Sequence, residues 1–247
     1  MVNVTFEPKH LEALSEQQAQ LQQIAERPNI KDLLLELDDD LPPAPFPHNV
    51  LGLNLYRHWS SEHRTSLWFP HPFNNFRVCE VFLRYGKSKK EIQIQSLELN
   101  LEPAIGEPWD LVAAAAHGHM SVGLGNGGFF YQLVIGPRAW RDLINFCERL
   151  LDQTEKSAEL FSAICSLGNA GYQICLGEVV SNIDEFSTSS SLGEYIRNSY
   201  TGKEWFAVRK LVKRNADGCK VSSEDIRKQI ALLFQVFDRA VLRSPAA

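Results

Sequence analysis

Apolar residues recur along this chain at two spacings, every three or four residues and every second residue, and the alternation between the two predicts its elements. In "PKHLEALSEQQAQLQQIAERPN" Leu11, Leu14, Leu21 and Ala25 form a narrow stripe with Gln18 between them, the pattern of an amphipathic helix that starts on Pro8. Asn29 is placed to cap a second short helix, "IKDLLLEL", with Asp32 in its first turn. Four prolines in "LPPAPFPH" then end both helix and strand. The chain is therefore read as an acidic helical arm (1–41), a Pro-rich linker (42–48) and a body (49–247).

The body opens with two apolar and aromatic runs, "LGLNLYRHW" and "RTSLWF", around "SSEH", which predicts a β-hairpin. "FRVCEVFLRY" alternates and predicts a strand, with Val81, Leu83 and Tyr85 on one face and Glu80, Phe82 and Arg84 on the other. In "KSKKEIQIQSLELNLEPAIG" the spacing of Ile94, Leu97, Leu101 and Ile105 favours helix, although Ile92 and Ile94 alternate as in a strand.

Gly123, Gly125 and Gly128 match the G-x-G-x-x-G of dinucleotide sites, which need a helix to start on the last glycine so that its amides meet the pyrophosphate. Here "FFYQLVI" follows instead, so the segment reads as strands 119–124 and 129–135 joined by a type I′ turn at Asn126-Gly127. Two helices come next. "PRAWRDLINFCERLL" has Trp140, Leu143, Ile144, Cys147 and Leu151 on one side, and "EKSAELFSAICSLG" ends at Gly168. "GYQICLGEVV" reads as one strand, "GEYIRNSY" as a short helix after a polar loop, and "WFAVRKLVKR" as a strand ending near a turn at Asp217-Gly218. The terminal helix is signed by a Ser222–Asp225 capping box and a stripe of Ile226, Ile230, Leu233, Phe237 and Val241. The order over 76–180 fits the split βαβ, or ferredoxin-like (βαββαβ), unit. The fold class expected is α+β: a mainly antiparallel sheet with that core, an N-terminal helical arm and a long C-terminal helix.

Composition narrows the function classes only modestly. With 44% apolar residues in 247 positions, the chain can fill a core without metals or disulfides. Its net charge of −5 belongs to the arm: residues 1–50 hold nine acids and three bases, leaving 21 acids and 22 bases elsewhere. Net charge alone thus argues for neither nucleic acid nor membrane. Five widely spaced cysteines, mostly in apolar runs, read as reduced thiols of a cytoplasmic protein, with no C-x-x-C pair for zinc. No leader-like start or long apolar run suggests a membrane partner.

Three features carry candidate chemistry. His117 and His119 are two apart, so on a strand both imidazoles share a face and offer half of a metal site. The aromatic and arginine-rich "YRHWSSEHRTSLWFPHPF" has the composition of a base-stacking surface, and equally of a core-facing hairpin. "GKEWFAVRKLVKRNADGCK" gathers Arg209, Lys210, Lys213, Arg214 and Lys220 as a partner-binding set, part of which has to form a solvated strand edge. No P-loop, G-x-S-x-G or paired-carboxylate motif is present, and no cofactor is indicated. The function expected is non-enzymatic binding or assembly: a protein partner or a second copy held through the N-terminal arm, or a nucleic acid on the basic set. The alternative is a metal-dependent hydrolase or nuclease using His117 and His119.

Overall fold

The computed structural model describes residues 1–14, 29–30, 32–37, 55–62, 80–87 and 118–240. The chain is α+β with antiparallel sheets. Nine strands are described: β1 (Asn3–Phe6), β2 (Leu55–Glu62), β3 (Glu80–Lys87), β4 (His119–Gly125), β5 (Gly128–Ile135), β6 (Gln173–Leu176), β7 (Val179–Asn182), β8 (Phe206–Lys213) and β9 (Cys219–Ser222). The helices are α1 (Pro8–Ala13), α2 (Trp140–Leu151), α3 (Glu155–Asn169), α4 (Ser189–Ser199) and α5 (Ser223–Ala240). Residues 29–30 and 32–37 are also helical. Among the described residues no helix is long and apolar enough to cross a membrane.

Seven strands form one sheet in the order β2-β3-β4-β5-β8-β6-β7, and β1 pairs with β9 separately. Every ladder is antiparallel. This differs from the ferredoxin-like reading: β3 and β4 are direct antiparallel neighbours, and β8, far later in the chain, lies between β5 and β6. The helix expected near residues 92–105 lies outside the described residues, as do the Pro-rich linker and most of the arm's first helix.

The hairpin β4–β5 stands where the β-prone run after the glycines predicts, but its turn is not type I′. Neither Asn126 nor Gly127 has positive φ; that conformation falls on Gly128, at φ +140°. A Cβ there would meet the Val212 carbonyl oxygen at 2.1 Å, so only glycine lets β8 approach. The polar "SSE" is not a turn either, since Ser60, Ser61 and Glu62 continue β2 opposite Phe82, Val81 and Glu80. "GYQICLGEVV" breaks into the hairpin β6–β7 at Gly177, whose φ of +59° suits the first loop position of a two-residue turn.

The described helices cover one face of the sheet. α5 packs on β4 and β5, α3 on α5, and α2 on α3, α4 and β5. On α2 the buried face is Leu143, Phe146, Cys147 and Leu150, while Trp140 and Ile144 are exposed. The sequence stripe was thus off by part of a turn, because two apolar stripes overlap on this helix. α3 runs past Gly168 to Asn169, and the glycine with positive φ beyond its end is Gly171. α5 starts as expected: Ser222 Oγ accepts the Asp225 N–H at 3.0 Å and donates to its carboxylate at 2.6 Å.

The N-terminal residues belong to the same core as the body. Val4, Phe6, Leu11, Leu14, Ile30, Leu34 and Leu37 are buried in one cluster with the strands and helices. β1, unread in the sequence, pairs with β9, and Phe6 stacks on Phe129 with ring centroids 5.6 Å apart. The body therefore covers the apolar stripe of these residues.

Candidate functional site

Register across the sheet aligns polar residues in one row: His58, Arg84, Ser121, Gln132, Arg209, Gln173 and Asn182, one from each of the seven strands. At β4, β5 and β8 this row lies on the face away from the described helices, since Val122, Tyr131 and Val208 on the opposite parity belong to the helix-side core. Its inner part is buried and internally bonded, with Gln132 Nε2 donating to Ser121 Oγ at 3.0 Å. The next row on that face includes Phe82 and Phe130, with ring centroids 6.4 Å apart.

His119 is on this face, 1% exposed, its ring stacked on Phe82 at 6.3 Å. His117 lies outside the described residues. Among the described residues no three His, Cys, Asp or Glu side chains are grouped to hold a metal ion.

The five basic residues of the partner-binding set divide into two groups. Arg209 donates to Glu80 across the sheet at 2.9 Å and its guanidinium lies 4.4 Å from the Phe130 ring, so hydrogen bonding and a cation–π contact hold it in place. Lys210 leans over Tyr172, its Nζ 5.9 Å from the ring centroid. Lys213, Arg214 and Lys220 are exposed, and among the described residues none has an acid partner. The turn between β8 and β9 is closed by Asn215 N–H to Gly218 C=O at 2.9 Å and its reciprocal at 3.2 Å, which brings these three cations to one end of the molecule. β8 pairs with β5 along its whole length, but β6 covers it only from Phe206 to Arg209. From Lys210 to Lys213 the strand therefore has no ladder partner on that side among the described strands. Leu211 is exposed there.

The sheet ends differently at β7. Its Val179 and Val180 are 59% and 55% exposed, and the outer side of β7 has no neighbour among the described strands. Near it a cavity of about 460 Å³ is lined by Asn169, Tyr172, Gln173, Asn182, Asp184 and neighbouring residues. Gln173 Nε2 donates to Asn182 Oδ1 at 2.9 Å, and Asn182 donates from both its N–H and its side-chain amide to Glu185 Oε1 at 3.0 and 3.1 Å. None of this was legible in the sequence, because the break at Gly177 sits inside an apolar run.

The described cysteines are reduced. Burial pushes the Cys147 thiol up to about 11 and raises Cys165, Cys175 and Cys219 above the usual thiol range. Such thiols are poor nucleophiles at neutral pH. No protein-family model matches the chain, and no curated protein matches it.

Proposed function

We propose that this is a non-enzymatic binding protein that holds a nucleic acid by its phosphates at the β8–β9 end. The observation that carries the reading is the exposure of Lys213, Arg214 and Lys220 at one turn with no acid partner among the described residues, beside the half of β8 that β6 does not cover. A protein gains little stability from grouping like charges, whereas phosphates release counterions when such charges meet them. Arg209 is not part of the contact surface, because Glu80 and Phe130 hold it.

The test is titration of single-stranded and duplex DNA and RNA at two salt concentrations, with the wild type and with Lys213→Gln, Arg214→Gln, Lys220→Gln combined. Three phosphate contacts predict a slope of log affinity on log salt of roughly −2 to −3, lost in the triple variant. Absence of wild-type binding to any of them at low salt overturns the proposal. Binding to polyglutamate but not to nucleic acid transfers the site to an acidic protein partner.

A further inference from the structure

We infer that β7 is a second docking site, for an extended basic segment of a protein partner that adds as a strand to the sheet. The ladder geometry exposes its backbone. Neighbouring residues on an antiparallel strand alternate between facing the partner strand and facing away. The Asn182 N–H is bonded to Glu185 at 3.0 Å rather than to β6, so Asn182 faces away, and Val180, two residues earlier, faces away with it. The Val180 N–H and C=O thus point outward, with exposed valine side chains on the two faces of the strand. "VVSN" has none of the lysine, proline or inward charge by which edge strands discourage pairing.

Charge selects the occupant. Glu178 precedes the strand, Asp184 and Glu185 follow it, and Glu204 packs beside Gly177, where Thr201 hydrogen bonds hold its carboxyl below the usual carboxylate range. The cavity beside Asn182 adds to this. It lies at the C-terminal end of the 15-residue α3, the negative end of the helix dipole, and the last turn of α3 has no basic residue of its own. Asp184 and the amides of Asn169 and Gln173 there suit a lysine or arginine side chain from the added strand. A second copy pairing β7 with β7 would set these acids against each other, so self-association is disfavoured.

A capped synthetic peptide alternating lysine and valine tests the inference, with the same peptide carrying glutamate for lysine as control. The lysine peptide is expected to bind, shift the Val180 amide resonance and slow its hydrogen exchange, while the glutamate peptide does neither. Val180→Pro removes only an outward N–H, which an edge strand tolerates, and should abolish binding with the fold intact. Glu178→Lys with Asp184→Lys should weaken it by roughly tenfold or more, and serves if the proline variant does not fold. Equal binding of both peptides, binding insensitive to both sets of changes, or concentration-dependent dimerisation through Val180 in place of peptide binding each overturns the inference.

Discussion

The basic flank at the β8–β9 turn and the acidic flank at β7 are built in opposite ways: β8 lies inside the seven-stranded sheet and β9 pairs apart from it with β1, whereas β7 ends the row of described strands. β8 is the most cationic of the described strands, yet its first half is interior, paired with β5 on one side and β6 on the other. β7 has no charged residue, yet it is outermost among the described strands and hangs on a four-residue ladder to β6. Strand order, not strand composition, decides which backbone is offered to a partner. The basic flank is fixed from beneath by aromatic packing, Phe6 on Phe129 and Phe129 edge-on to Tyr131. The β7 flank is held by one hairpin and by Ser181 bonded to Tyr195 at 3.0 Å. The first presents charges over an aromatic support, and the second presents a short strand edge.

The largest test of that contrast is Gly128→Ala. The positive φ and the 2.1 Å approach to the Val212 carbonyl mean that backbone must move, and the β5–β8 ladder opens at the basic end. The loss expected is roughly 3 kcal/mol, combining left-side backbone strain with overpacking, read from urea denaturation midpoints. A loss below about 1 kcal/mol would show that this contact does not fix the basic flank. Gly177→Ala is the matching change at the other end and should cost less, about 1 kcal/mol. Its φ is also positive, but the new Cβ meets only side-chain carbons of Glu204, Cγ at 3.2 Å and Cβ at 3.5 Å, and no backbone. Hydrogen exchange should quicken in β6 and β7 alone. If the two variants unfolded alike, the flanks would not differ in support.

How far the sequence foretold these flanks depends on the range of the interactions. Local signals were readable: the alternation of β3, the β-prone run that makes β5 and with it the β4–β5 hairpin, the Ser222 cap of α5, and Pro137 opening the turn into α2. The type of the β4–β5 turn was not, because Gly128 is selected by Val212, eighty-four positions away along the chain. β1 and β9 are four residues each, too short to carry a period, and they pair across nearly the whole chain. The exposed ends of the candidate site follow from β8 inserting between β5 and β6, a fact of sheet order that no spacing encodes. The burial of His119 was not legible, because a pair of histidines two apart carries no sign of it; packing on Phe82 is what encloses the ring.

The smallest effect, with no change in stability, is the order in which thiols are alkylated. Cys219 reports the basic flank: it is buried, and its Sγ donates to the Val212 carbonyl at 3.6 Å. Cys175 reports the other, opposite Val180 on β6 and only half-buried. Alkylation proceeds through the thiolate, and burial raises both thiols, offset in part by Arg209 at Cys175 and by a Phe129 backbone hydrogen bond at Cys219. Access therefore decides the order, and near neutral pH Cys175 should be labelled by iodoacetamide well before Cys219. Cys147, raised to about 11, should wait with Cys219. For Cys175 the rate should climb with pH as the thiolate fraction grows. For Cys147 and Cys219 it should follow opening of the fold and so rise with added urea. Mass spectrometry of timed digests reads all three sites at once, and equal labelling of Cys175 and Cys219 would mean that the edge at β7 is as closed as the anchored end of β8.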